Sequence, residues 1–116
     1  MTRHTLDEMV RGWFVGDFEP TAYRTSEVEV AIKHYTAGDA EERHVHKVAT
    51  ELTAVVSGSV RMDGRDLCAG DILKLDPGEP CDFLALTDAT VVAVKLPAVA
   101  GDKYLVDDEN LEDASC

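Results

Sequence analysis

Residues 38–58 read GDAEERHVHKVATELTAVVSG, and within them two of the four histidines of the chain, His44 and His46, stand two apart with Glu51 close behind. Residues two apart on an extended chain project to the same face, so both imidazoles can reach one point. If that face turns inward, Thr53 and Val55 turn inward with Glu51 by the same alternation. The result is a mostly apolar lining with a hydroxyl and three potential donors, the composition of a small-molecule pocket. Two imidazoles and a carboxylate are a donor set for iron, manganese, zinc, nickel or copper. Taken alone, so short a pattern is equally compatible with two solvated histidines on a surface strand and an unrelated glutamate.

Outward from this stretch the period of the hydrophobic pattern stays at two. Glu27 to Tyr35 (EVEVAIKHY) places Val28, Val30, Ile32 and His34 on one face and Glu27, Glu29, Ala31, Lys33 and Tyr35 on the other. Such alternation predicts a half-buried strand, with the Val28–His34 face inward. Further strand-like runs cover Glu51 to Ser57, Ser59 to Asp63, Asp71 to Leu75, Asp82 to Leu86 and Thr90 to Leu96. The breaks between them carry turn chemistry, with Asp63-Gly64 the strongest hairpin signal because a two-residue type I′ turn needs positive φ at both centres. Short strands closely spaced, with little helical pattern, predict an all-β sandwich or barrel closed on itself.

The chain has 116 residues, 11 Lys plus Arg against 23 Asp plus Glu, a formal charge of −12 and 45% hydrophobic residues. That suits a single globular domain, and the hydrophobic content is too high for a disordered chain. The acidic balance argues against nucleic acid or an anionic membrane surface as partner, since phosphate affinity rests on clustered Lys and Arg. No apolar stretch approaches a membrane span, and Met1 to Val10 lacks the apolar core of a secretory signal, so a cytoplasmic protein is expected. Three cysteines, Cys68, Cys81 and Cys116, without a CxxC pair, fit reduced thiols. We expect an N-terminal extension over residues 1–26, short and irregular or helical, packing on a barrel of residues 27–105, and an acidic flexible tail over residues 106–116.

From Gly38 the chain parses as G-DAEER-H-V-H-KVAT-E-LTAVVS-G, which resembles the first signature motif of the cupin superfamily at every fixed position. Gly70 to Phe83 (GDILKLDPGEPCDF) resembles the second motif, with Pro77 one residue later than the strict pattern, Cys81 where the family places its third histidine ligand, and Ala85 at the terminal asparagine position. The resemblance implies a single jelly-roll β-barrel with one divalent transition metal inside, held by His44, His46 and Glu51. Cys81 has two open roles: a thiolate ligand, or a small buried hydrophobe. His34 is the expected core or supporting histidine, and a general base near the substrate. The implied function is a metalloenzyme acting on a small polar metabolite, first an Fe(II)-dependent dioxygenase, alternatively a metal-dependent isomerase, epimerase or lyase. A non-catalytic module that binds or senses a small molecule is the rival from another class. The aromatic cluster Trp13, Phe14 and Phe18 suits either a homodimer interface, the common cupin pairing, or packing on the barrel.

Overall fold

Alternating side chains can be buried on one face only where turns let the next strand return, and here they return in an interleaved order. The computed structural model describes residues 1–106. After a single 3-10 turn at Leu6–Glu8 come β1 (Trp13–Gly16), β2 (Tyr23–Arg24), β3 (Glu29–Tyr35), β4 (Ala40–Val45), β5 (Thr50–Ser57) and β6 (Ser59–Met62). They are followed by β7 (Arg65–Cys68), β8 (Ile72–Leu75), β9 (Cys81–Ala85), β10 (Ala89–Leu96) and β11 (Tyr104–Leu105). One sheet has the order β2-β1-β3-β10-β5-β8 and the other β11-β4-β9-β6-β7. Strands distant in sequence are therefore neighbours, as when β10 lies between β3 and β5, and the architecture is an all-β jelly-roll barrel.

The apolar core lies between the sheets toward one end, built from Val55, Val60, Met62, Phe83, Ala85, Ala89 and Val91, with Tyr35, Leu67, Leu73 and Leu75 packed against it. Val60 and Val91 are fully buried, each contributing about 1.5–3 kcal/mol of transfer free energy. The Tyr35 and Phe83 rings are 4.3 Å apart between centroids. Toward the other end the inward face becomes polar. Along β5 it runs Val55, Thr53, Glu51, along β9 Ala85, Phe83, Cys81, and along β10 Val91, Ala93, Lys95. The apolar end supplies the burial, and the polar end is positioned by it.

The Asp63-Gly64 turn joins β6 to β7 with φ of 49° and 74°, the two positive values of a type I′ hairpin, and Met62 is buried while Arg61 pairs in solvent with Asp66. The N-terminal residues do more than pack on the barrel: β1 pairs with β3 and extends the first sheet.

The inward assignment of β3 requires correction. Ala31 is fully buried, Lys33 and Tyr35 line the interior, and His34 is exposed on the outer face. Alternation misleads because both faces of this strand are partly covered. Its outer face carries Ile32 into a recess with Leu6, Met9 and Phe14 of the N-terminal segment, so apolar residues there are buried without facing the barrel interior. Glu41, half-buried, also lines the interior, its carboxylate 3.5 Å from Lys33 Nζ. The expected acidic tail lies, from residue 107 onward, outside the described residues, as does Cys116. Among the described residues, no helix is long and apolar enough to cross a membrane.

Gly58, the last glycine of the 38–58 stretch, has φ +79°, and a Cβ there would come within 2.1 Å of the Asp88 carbonyl oxygen. Backbone must move to admit a side chain, so Gly58→Ala is expected to lower unfolding free energy by about 1–3 kcal/mol, read as a lower urea midpoint at unchanged m. An unchanged midpoint would contradict this packing of the β5–β6 turn against the β9–β10 turn.

Candidate metal centre

Three donors converge at the polar end. Ligand atoms of His44, His46 and Glu51 all lie within 4.8 Å of one another. His44 sits near the end of β4, His46 just beyond it, and Glu51 near the start of β5. A register shift in the β4–β9 pairing, Glu41 opposite Phe83 but His44 opposite Cys81, lets Glu41 and His44 line the same cavity despite their odd spacing.

Backbone acceptors fix both imidazoles. His44 Nδ1–H donates to the Glu42 carbonyl at 2.8 Å, and His46 Nδ1–H donates to the Asp102 carbonyl. In the neutral rings each Nε2 is then a lone pair, the form a metal takes. His46 Nε2 and Glu51 Oε2 lie 2.9 Å apart, with side-chain exposures of 7% and 13%. Both atoms are buried, and neither has a partner in hydrogen-bond geometry. Two lone-pair donors this close in a dry site require a cation between them. The donor set, its burial and these orphaned atoms fit a divalent transition metal.

The electrostatics agree. Glu51 holds His46 above its ordinary pKa against the effect of burial. Burial works to raise the Glu51 carboxyl, but His46, Lys95 and His44 together hold it below its ordinary value. For His44 burial dominates and lowers the pKa, favouring the neutral ligand form, while the Glu42 carbonyl opposes it.

Cys81 is buried, lines the same cavity and pairs across the sheet with His44. Its Sγ–H donates to the Asp82 carbonyl at 3.1 Å, and Cys81 is not part of the converging group. Burial, then the nearby acids Asp63, Asp82 and Glu51, push its thiol up to about 12. His34 is not brought to the site: its Nδ1 lies 2.9 Å from Thr90 Oγ1 on the exposed face, and Lys33 and Tyr35 on either side of it face the cavity instead.

Two contributions escaped the sequence reading. Asp102 is buried, and its carboxylate accepts from the backbone N–H groups of Lys47, Val48 and Ala49 at 2.8–3.2 Å while its carbonyl holds His46. Lys95 pairs in register with Glu51 across β10 and β5, and burial lowers its pKa. The signal for Lys95 was a charged residue on the small-residue face of TVVAVKL; Asp102 lies in a loop without period and gave none.

The cavity beneath the donors has about 20 Å³ of free volume, room for about one water. A separate, more open cleft of about 330 Å³ reaches the His46 side chain from outside.

No family model and no curated protein matches the chain. Solved structures do. A protein with a double-stranded β-helix domain from Klebsiella pneumoniae is 26% identical, with TM-score 0.64 over 72% of this chain and 78% of that one. KdgF from a Halomonas species is 22% identical, with TM-score 0.60 over 66% and 74%. The DMSP lyase DddQ from Ruegeria pomeroyi is 17% identical, with TM-score 0.67 over 81% of this chain and 49% of that one. The fold is thus the double-stranded β-helix. It is the jelly-roll fold seen in cupin-type barrels.

Asp102 is a positioning residue, and its removal leaves buried amides of the 47–49 loop unpaired. Asp102→Ala is expected to cost about 2 kcal/mol of stability in urea titration and to weaken metal binding by about 10–100-fold in a chelator competition. Unchanged metal affinity in a folded variant would remove Asp102 from the support of His46.

Proposed function

We propose that the chain is a small metal-dependent enzyme acting on a small polar metabolite, with one divalent transition metal held by His44, His46 and Glu51. The observation that carries this reading is the buried pair His46 Nε2 and Glu51 Oε2, close together without a hydrogen bond and joined by His44 within 4.8 Å. When bound, the ion supplies Lewis acidity and, as iron, a site for oxygen chemistry.

The chain's own residues do the rest. His44 and His46 are held by the Glu42 and Asp102 carbonyls with Nε2 presented to the ion. The narrow cavity beneath, walled by Thr53, Met62, Leu75 and Phe83, excludes bulk water from that side. A metabolite therefore approaches along the cleft that borders His46. Three protein donors leave positions for a bidentate substrate and O₂, and Fe(II)-dependent dioxygenation is the reaction we advance first. A metal-dependent lyase, isomerase or epimerase is the second reading. Lys95 supports it: an amine beside Glu51 with its pKa lowered by burial is suited to carry a proton there, the role the outward-facing His34 cannot fill from its place on β3. The fold shared with a DMSP lyase is consistent with that second reading.

Elemental analysis of protein purified without a metal-binding tag tests the proposal. Wild type is expected to carry about one equivalent of iron, manganese, nickel, copper or zinc, His46→Ala to lose it, and Cys81→Ala to retain it. Iron with oxygen-dependent turnover favours the dioxygenase, and activity indifferent to oxygen the lyase or isomerase. Wild-type protein that neither carries nor takes up metal overturns the enzyme reading in favour of a non-catalytic binding module.

A further inference from the structure

The cleft of about 330 Å³ that borders His46 is also lined by Arg11, Lys95 and Lys103. Three basic residues around one cleft are unexpected in a chain with 11 basic and 23 acidic residues. Of the eight basic residues outside the cleft, six are paired: Arg24, Lys33, Arg43, Arg61, Arg65 and Lys74 each lie within 4.0 Å of a carboxylate. Among the described residues Arg11, Lys95 and Lys103 have no carboxylate at that distance.

The acids on the same wall do not cancel them. Glu19 is engaged by Arg24 at 3.0 Å, and the Asp102 carboxylate by the 47–49 amides. Glu29 remains, opposite Lys95 in the β3–β10 register. The cleft therefore presents three cations against one uncommitted carboxylate. The Lys95 ammonium stands 4.7 Å from the Trp13 ring centroid, so an aromatic face adjoins the charge and Pro97 and Val99 complete an apolar wall. Apolar walls with a few converging charges, at the small end of ligand-site volumes, describe a site for a compact charged metabolite.

We infer that this cleft is an anion subsite in which Lys95, Lys103 and Arg11 hold the carboxylate of a small acidic substrate next to the metal centre. The inference deepens the enzyme reading by naming its substrate class, and it rests on that reading for the catalytic role alone. Ammonium and guanidinium groups bind carboxylates through charge-assisted hydrogen bonds. They also explain how an acid reaches a protein of charge −12, since the local field at the cleft opposes that of the whole surface.

Trp13, the only tryptophan, makes the test direct, because its emission reports on the ammonium beside it. Metal-free and metal-loaded protein are titrated at constant ionic strength with succinate, with the uncharged isostere succinamide, and with inorganic phosphate. Succinate is expected to give a saturable change in both forms, tighter with metal, with succinamide silent and phosphate weaker. Lys95→Met and the exposed, fold-neutral Lys103→Gln are each expected to weaken succinate binding by at least about tenfold, the loss of one charged contact. No saturable response, an equal response to succinamide, phosphate binding more tightly than succinate, or unchanged affinity in both variants overturns the proposal. Succinate binding to a protein that proves unable to take up metal would uphold the subsite while removing the enzyme reading, so the two can fail separately.

Discussion

The polar end of this barrel depends on one pair of atoms, His46 Nε2 and Glu51 Oε2, 2.9 Å apart and shielded from water. With His46 Nδ1–H committed to the Asp102 carbonyl, the facing atoms both carry lone pairs, and only a cation makes the arrangement favourable. The proximity of the two groups holds His46 above its ordinary pKa against burial, and with Lys95 and His44 holds Glu51 below its own. A divalent ion held by His44, His46 and Glu51 would supply that cation. Much of the surrounding structure serves to keep this pair in place: the 47–49 loop pinned by Asp102, the β5–β10 register that sets Lys95 opposite Glu51, and the bulge in β4 that turns His44 inward.

The division of the barrel into an apolar and a polar end follows from the same requirement. Burying two ionisable groups is costly unless they are paired and their positions fixed. The cluster of Val55, Val60, Phe83, Ala85 and Val91 supplies the burial that makes this affordable, and it does so on the strands that carry Glu51, Cys81 and Lys95 at their other ends. Cys81 belongs to both regions: it faces the cavity, and its buried Sγ–H donates to the Asp82 carbonyl.

The donor triad was legible in the sequence because it is local. His44, His46 and Glu51 lie within eight positions on β4, its exit and the start of β5, so spacing alone carries the geometry. The strands themselves were legible from their period of two, and the β6–β7 hairpin from Asp63-Gly64. What failed was parity on β3, where the N-terminal segment covers the outer face and both sets of alternate residues are partly buried, so hydrophobicity no longer marks the inside. Asp102 and Lys95 were not legible as site residues, since one comes from a loop 56 positions beyond His46 and the other through a cross-strand register. Contacts of that range are set by tertiary structure and leave no local pattern.

The central claim is a single-ion site of two imidazoles and one carboxylate, with the Cys81 thiol outside it. Optical titration of the metal-free protein with Co²⁺ tests it most directly, because cobalt reports both the number of sites and the presence of sulfur. The account predicts saturation at about one equivalent, weak d–d bands and no thiolate-to-cobalt charge-transfer band, with the same spectrum from Cys81→Ala. A charge-transfer band that vanishes in Cys81→Ala would put the thiolate in the coordination sphere, and a protein that takes up no cobalt would contradict the metal centre itself.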